Sequence, residues 1–111
     1  MNKYRIEDFT KGWFIGDFLP TIFKSKDFEV AVKSFNPGDK EATHMQSIST
    51  EITVVIDGEV KLNSNLFTSG DIIMIPPGEF ADFESMTASK LVCVKFPSIP
   101  NDKIIKPEEK N

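Results

Sequence analysis

Short β-forming runs separated by turn residues dominate the chain between residues 28 and 96. Val, Ile, Phe and Thr are over-represented in these runs, as they are in strands, and Gly, Pro, Asn or Asp follows each run. The runs read FEVAVKSF, EITVVI, EVKL, LFTS, IIMI and KLVCVKF. Several short strands with turns between them are typical of an antiparallel sandwich or barrel. The sequence therefore predicts an all-β fold.

Two local signals refine this prediction. The dipeptide Asp57-Gly58 lies between two β-rich runs, and such a dipeptide favours a two-residue hairpin because a type I′ turn needs positive φ at both central positions. Helical periodicity is almost absent, so we expect at most a short turn of helix in RIEDFTKGWF, ended by Gly12.

The length of the chain predicts one domain. With 111 residues, 40% of them apolar, it can bury roughly two thirds of its unfolded surface. We expect a domain spanning residues 1–111, with its core at about 28–96. Prolines and charges become frequent from Pro97 onward, which predicts that residues 97–111 form a solvated arm, and composition leaves open whether Ile104 and Ile105 anchor it.

The charge balance and the single cysteine bear on partners and location. The chain has 13 basic residues against 17 acidic ones, a net charge of −4, and no basic stripe, which argues against nucleic acid. Cys93 has no second cysteine to pair with, so a reducing compartment is expected, and its apolar neighbours in LVCVKF predict a buried, unreactive thiol. The N-terminal residues lack the apolar stretch of a signal peptide, and no run approaches the roughly 20 residues of a membrane span. We predict a cytoplasmic protein without a membrane partner.

The stretch from residue 38 to 58 resembles the first motif of the cupin superfamily, G(x)5HxH(x)4E(x)6G. The matching positions are Gly38, His44, Glu51 and Gly58, with Gln46 in place of the second histidine. The second cupin motif, G(x)5PxG(x)2H(x)3N, is similar to GDIIMIPPGEFADFES. There the matching positions are Gly70, Pro76 and Gly78, with Ala81 in place of the histidine and Ser85 in place of the asparagine. The resemblance implies a small stand-alone cupin with a double-stranded β-helix, or jelly-roll, barrel.

The resemblance also implies where a site would lie. In metal-binding cupins the first motif supplies two histidines and a glutamate, and the second supplies one histidine. This chain keeps His44 and Glu51 and offers only the amide of Gln46 and the methyl of Ala81. We therefore expect either no cofactor or a weakly bound divalent metal on His44, Gln46 and Glu51, unless Asp82 or Glu79 completes the set. On a strand, His44 and Gln46 would point to the same face.

Three functional classes follow from these residues. The first is a small-molecule binding protein, with carbohydrates among the candidate ligands and a pocket lined by His44, Gln46 and Glu51. The second is a metal-dependent oxygenase or isomerase with a degenerate site. The third is a metal-free sugar epimerase or isomerase with His44 as general base. The binding class needs neither a tight metal nor a second acid, so it leads.

Three further expectations concern Lys95, Trp13 and the oligomeric state. Lys95 shares a strand face with Cys93, and it either points inward as a counter-ion to Glu51 or lies at the surface. Trp13 either caps the barrel or lines a cleft. A homodimer is expected, because a small barrel with long exposed strand edges at its N- and C-terminal strands rarely leaves them bare.

Overall fold

The computed structural model describes residues 1–107 and shows two antiparallel five-stranded sheets packed face to face. The strands in chain order are β1 Trp13–Ile15, β2 Glu29–Phe35, β3 Lys40–Gln46, β4 Thr50–Asp57, β5 Glu59–Leu62, β6 Asn65–Thr68, β7 Ile72–Ile75, β8 Ala81–Ser85, β9 Ser89–Phe96 and β10 Lys103–Ile105. The first sheet has the order β1-β2-β9-β4-β7, and the second has the order β10-β3-β8-β5-β6. The all-β jelly-roll prediction is confirmed.

Helical structure within the described residues is confined to two short 3-10 turns, Ile6–Asp8 and Thr10–Gly12. Gly12 adopts φ +80°, and a Cβ there would meet the carbonyl oxygen of Val32 at 1.9 Å. This contact explains why the chain turns into β1 at a glycine. None of the helices in residues 1–107 is long or apolar enough to cross a membrane.

The hairpin predicted at Asp57-Gly58 is wrong. The strands on either side of Gly58, β4 and β5, belong to different sheets and do not pair. Gly58 has the expected positive φ, +87°, but it serves as the corner at which the chain crosses from the first sheet to the second. The tight two-residue turn lies instead at Asn63 and Ser64, both with positive φ, between the paired strands β5 and β6.

The sheets extend beyond the predicted core range at both ends. β1 pairs with β2 on one side, and β10 pairs with β3 on the other. The second contact places Ile104 and Ile105 in a strand at the sheet edge, held by Asp102, whose carboxylate accepts the backbone N–H groups of Ile48 and Ser49. The last part of the predicted solvated arm, residues 108–111, lies outside the described residues.

The apolar core fills one end of the space between the sheets. Val55 and Val60 are fully buried there, against Leu91 and Phe83. We call this the closed end. Toward the other end, inward positions become polar, with Glu29, Glu51 and Lys95 from the first sheet and Gln46 and Lys103 from the second. We call this the open end, and it borders the candidate site.

Candidate functional site

A cavity of about 240 Å3 lies between the two sheets, and His44, Gln46 and Glu51 all line it. Gln46 is buried, whereas His44 and Glu51 are half-buried. His44 and Gln46 come from β3, and Glu51 comes from β4 in the facing sheet. The three residues singled out from the sequence therefore surround one space.

A bulge in β3 determines the direction of the His44 side chain. Glu41 pairs with Phe83 in register, but His44 pairs with Ala81, so β3 has one more residue than β8 over this interval. An extra residue reverses the alternation of side chains. Both Glu41 and His44 therefore face the cavity, although they are three positions apart and a regular strand would point them to opposite sides.

His44 is oriented by its own strand. Its Nδ1 lies 2.8 Å from the carbonyl oxygen of Ala42. Because a carbonyl can only accept, Nδ1 carries the proton of the neutral ring and Nε2 keeps a free lone pair. That lone pair can ligate a metal or accept a proton. The orienting group is a backbone carbonyl and not the carboxylate of Glu51.

A row of three charged residues crosses the first sheet at the open end. Lys95 is the register partner of Glu29 on one side and of Glu51 on the other, so all three point into the barrel. The ammonium of Lys95 lies 3.7 Å from Glu29 Oε1, and the other oxygen of Glu29 accepts the hydroxyl of Ser98 at 2.8 Å. Of the two faces left open for Lys95, the structure selects the inward one, with Glu29 as its ion-pair partner.

Trp13 and Lys33 complete this side of the cavity. Lys33 pairs with Glu41 at 3.5 Å. The ammonium groups of Lys33 and Lys95 lie 5.3 Å and 4.6 Å from the centre of the Trp13 ring, within the range of a cation-π contact. Trp13 therefore lines the cavity as a platform for cations. The sequence did not reveal Glu29, Lys33 or Glu41 as site residues, because their inward orientation depends on strand pairing.

Cys93 lies deeper, between the open and closed ends. It is buried, and it accepts a contact of 3.5 Å from the hydroxyl of Thr53. Burial raises the pKa of the Cys93 thiol, since desolvation disfavours the thiolate. A thiol held neutral is a poor nucleophile and a poor metal ligand, which agrees with the buried, unreactive thiol expected from its apolar neighbours.

The residues present do not fit a tightly bound metal. Ala81, the direct partner of His44 on β8, has no donor atom. Asp82 borders the cavity, but it is exposed between the buried residues Ala81 and Phe83 on β8, and its carboxylate is turned outward to accept the backbone N–H of Asn63 at 2.8 Å. Within residues 1–107 no three His, Cys, Asp or Glu side chains gather in a metal-binding arrangement. His44 and Glu51 are two strong ligands, fewer than the three that catalytic zinc sites usually keep.

Comparison with known proteins gives the fold a name. No family model and no curated protein matches this chain. Among solved structures, it is similar to an uncharacterized protein with a double-stranded β-helix domain from Klebsiella pneumoniae, with a TM-score of 0.67 and 23% identity over 76% of this chain and 74% of the other. An RmlC-like cupin from Shewanella frigidimarina matches with a TM-score of 0.64 and 19% identity over 68% and 71%.

A third solved structure also resembles this chain. KdgF from a Halomonas species matches with a TM-score of 0.61 and 18% identity over 68% of this chain and 74% of the other. At these identities the likeness concerns the fold alone. The chain has the cupin double-stranded β-helix fold that its two motifs predicted.

Proposed function

We propose that the protein binds a small hydroxylated molecule, of the carbohydrate class, in the cavity between its sheets. The observation that carries this proposal is the convergence of His44, Gln46 and Glu51, from facing sheets, on one enclosed space. Protein cavities that hold ligands combine apolar walls with a few polar groups that fix orientation. Here Leu62 and Phe83 supply apolar wall, and the three polar residues supply donors and acceptors.

Two features favour binding over catalysis. An isomerase that used His44 as base and a phenol as the opposing acid is disfavoured, because the only phenol, Tyr4, is exposed near the N-terminus and does not line the cavity. A metal enzyme would need a stronger ligand set than this one. We expect divalent metals to bind weakly and reversibly on His44, Glu51 and the Gln46 amide. The carbohydrate class of the proposed ligand is supported by one similar structure, a sugar phosphate isomerase from Silicibacter pomeroyi. It matches with a TM-score of 0.59 and 22% identity over 63% of this chain and 50% of the other.

The binding proposal is tested by filling the cavity. Ala81 faces His44 and is buried, whereas Ala42 on the neighbouring strand is exposed. We expect Ala81→Phe to abolish ligand signals in saturation-transfer NMR with a mixture of small sugars and sugar acids. Ala42→Phe, which adds the same ring outside, should leave them unchanged. Equal signals from wild type and Ala81→Phe would show that any binding occurs elsewhere.

We also propose that the protein forms a homodimer, through a surface other than the one predicted. The long exposed edges expected at the ends of the chain are not found among residues 1–107, where the four edge strands have three or four residues each. The outward face of the first sheet is apolar instead. Its two aliphatic rows are Val30, Val94, Ile52 and Met74, and Val32, Val92, Val54 and Ile72.

This outward face is large enough to contribute to a stable contact. With strands about 4.8 Å apart and outward residues about 6.8 Å apart, the eight residues of its apolar part cover roughly 260 Å2 in projection. A standard interface buries about 800 Å2 per partner, so the exposed rings of Phe28 and Phe96 at its margin are needed as well. A second copy offers the same apolar face, and a twofold contact would cover both.

Sedimentation of charged variants tests the dimer. Val92→Glu places a carboxylate in the middle of the apolar rows and should give a mass of one chain. The matched control is Lys61→Glu, on the outward face of the second sheet, where Lys40, Glu84 and Lys61 are paired in a charged row. It should leave the dimer intact. A wild type with the mass of one chain at every concentration would refute the dimer.

A further inference from the structure

Four residues lie where the cavity meets a second cleft. This cleft has a volume of about 510 Å3 and opens between the N-terminal segment and the segment before β10. The residues that line both spaces are Trp13, Gln46, Lys95 and Lys103. A ligand that enters the cavity from the cleft passes these side chains.

The amide nitrogen of Gln46 is a buried donor without a partner. Gln46 is 6% exposed, and its Nε2 is the one buried side-chain nitrogen or oxygen in residues 1–107 that makes no hydrogen bond. Burial of an unused donor has a free-energy cost, so such groups are rare and call for an explanation. The backbone carbonyl of Gln46 is engaged, since it accepts the N–H of Gly78 at 2.8 Å. The side-chain amide nitrogen has no acceptor among residues 1–107 and is therefore available to one from outside the chain.

Lys103 lies directly beside this amide. The two residues are register partners on β10 and β3, so their side chains project to the same face. Asp102 holds the start of β10 in position: its carboxylate accepts the N–H groups of Ile48 and Ser49 at 3.0 Å and 2.9 Å, and its carbonyl accepts that of Ser47. A buried anchor thus sets the position of the Lys103 backbone beside Gln46.

Two other ammonium groups of this region are already paired. Lys33 and Lys95 have Glu41 and Glu29 as partners. Lys103 has no ion pair within 4 Å among residues 1–107. Partial burial lowers its pKa, and the ammonium groups of Lys33, Lys11 and Lys95 lower the pKa further, against the opposing effect of Glu41. An anion bound beside Lys103 would relieve this repulsion.

The acids of the cleft do not compete for this position. Asp102 is occupied by backbone N–H groups, Glu29 by Lys95 and Ser98, and Asp17 lies 4.0 Å from Lys24. Further inside, the side-chain carboxylate of Glu51 makes no hydrogen bond or ion pair within residues 1–107. The open end therefore presents two unused donors at its entrance and an unused acceptor beyond them.

We propose that Gln46 and Lys103 bind the carboxylate of a small hydroxylated acid, whose hydroxyl groups donate to Glu51 inside the cavity. The inference rests on the proposed function of the cavity and adds the chemical class of the ligand. One amide N–H and one ammonium match the two oxygens of a carboxylate. A phosphate dianion carries more negative charge than the single ammonium of Lys103 neutralises.

Trp13 is the only tryptophan of the chain and lines both spaces, so its fluorescence reports binding. The probes are galacturonate and galactose, which differ in a carboxylate against a hydroxymethyl group, and inorganic phosphate. We expect galacturonate to bind at least tenfold more tightly than galactose and than phosphate. Equal affinity for the two sugars would overturn this inference and leave the proposed function standing. Tighter binding of phosphate would overturn the carboxylate class, and a fluorescence response to none of the probes would overturn the inference as a whole.

Two variants locate the contact. Lys103→Met should weaken galacturonate binding at least tenfold and leave galactose unaffected, and Lys103→Arg should retain binding. Lys90→Met, at an exposed outward position of β9, is the matched control and should behave as wild type. Gln46→Leu removes the unused donor at similar volume, so it should fold at least as stably as wild type and still lose galacturonate binding. Unchanged galacturonate affinity in both Lys103→Met and Gln46→Leu would show that these residues do not hold the carboxylate.

Discussion

The closed and open ends of the barrel differ in whether their buried polar side chains are hydrogen-bonded. At the closed end Ser85 is fully buried, and its hydroxyl contacts both the carbonyl of Thr87 and the hydroxyl of Ser89 at 2.6 Å. At the open end the Gln46 amide is nearly as deeply buried and has no partner among the described residues. The closed end thus satisfies its buried polar groups, whereas the open end leaves one of them unsatisfied at some cost in stability.

The largest effect is expected from a change at the closed end, Gly58→Val. A Cβ at Gly58 would lie 2.3 Å from the carbonyl oxygen of Ala88, and φ is +87°. Steric overlap and backbone strain together should lower the free energy of unfolding by about 4 kcal/mol or more. Urea denaturation followed by circular dichroism measures this loss.

Gly38→Val is the matched control for the steric part of that effect. Gly38 has nearly the same φ, +86°, but a Cβ there would meet nothing within 4 Å. The free energy of unfolding of Gly38→Val should fall by only about 1–2 kcal/mol, which is the cost of a left-handed backbone conformation at a residue with a side chain. Equal losses in the two variants would mean that crowding at the corner between the sheets contributes nothing.

The second expected effect is a gain of metal affinity at the open end. Gln46→His together with Ala81→His places imidazoles beside His44, because Ala81 is its direct partner across β3 and β8 and Gln46 shares its strand face. Restoring these ligands should tighten Zn²⁺ binding at least about 100-fold over wild type, whose metal should be lost on dialysis. Calorimetric titration with Zn²⁺ and Mn²⁺ measures the affinity of both proteins.

The control for the metal site keeps the number of histidines constant. Gln46→His with Asp82→His places the second imidazole on the outward side of β8, where the carboxylate of Asp82 accepts a hydrogen bond from Asn63 in the wild type. This pair should gain much less affinity than the first. Tight stoichiometric binding by the wild type would contradict the incomplete ligand set, and no gain in the first pair would contradict the convergence of these positions.

A smaller effect is expected from Asp102→Asn, which loosens the anchor of β10 beside the open end. Burial alone would raise the pKa of Asp102, but the N–H groups of Ser49 and Ile48 outweigh it and hold the pKa below its ordinary value. The carboxylate therefore contributes stability above the unfolded-state pKa of about 3.9, and this contribution is lost as pH falls through the lower folded-state pKa. We expect a loss of about 1–3 kcal/mol at pH 7, since charge-assisted hydrogen bonds are replaced by weaker ones.

The dependence of stability on pH distinguishes the loss of the Asp102 hydrogen bonds from a general effect of removing one negative charge. The difference between wild type and Asp102→Asn should shrink on acidification from pH 5 toward pH 2, as the wild-type carboxylate becomes protonated. Asp27→Asn, at an exposed position, should match wild type throughout. A stability difference at Asp102 that does not depend on pH would show that its charge has no part in holding β10.

Much of this architecture follows from local sequence patterns. The β-forming runs and their turn residues predict the strands, because alternation and turn chemistry act within a few residues. The spacing of His44 and Gln46 predicts their common face, and the spacing of the two cupin motifs predicts the fold. Cys93, amid apolar neighbours, is predicted to be buried, and it is.

Pairing between distant strands was decided only by the tertiary structure. Asp57-Gly58 has the composition of a hairpin turn, yet packing of two sheets sends β4 and β5 apart, because each finds its partners elsewhere in the chain. The bulge that turns His44 inward depends on the register of β3 against β8. Lys103 comes to lie beside Gln46 because Asp102 bonds to the segment after β3. A local pattern fixes which residues of one strand share a face, whereas contacts across the barrel fix which strands meet, and the open end is made of such contacts.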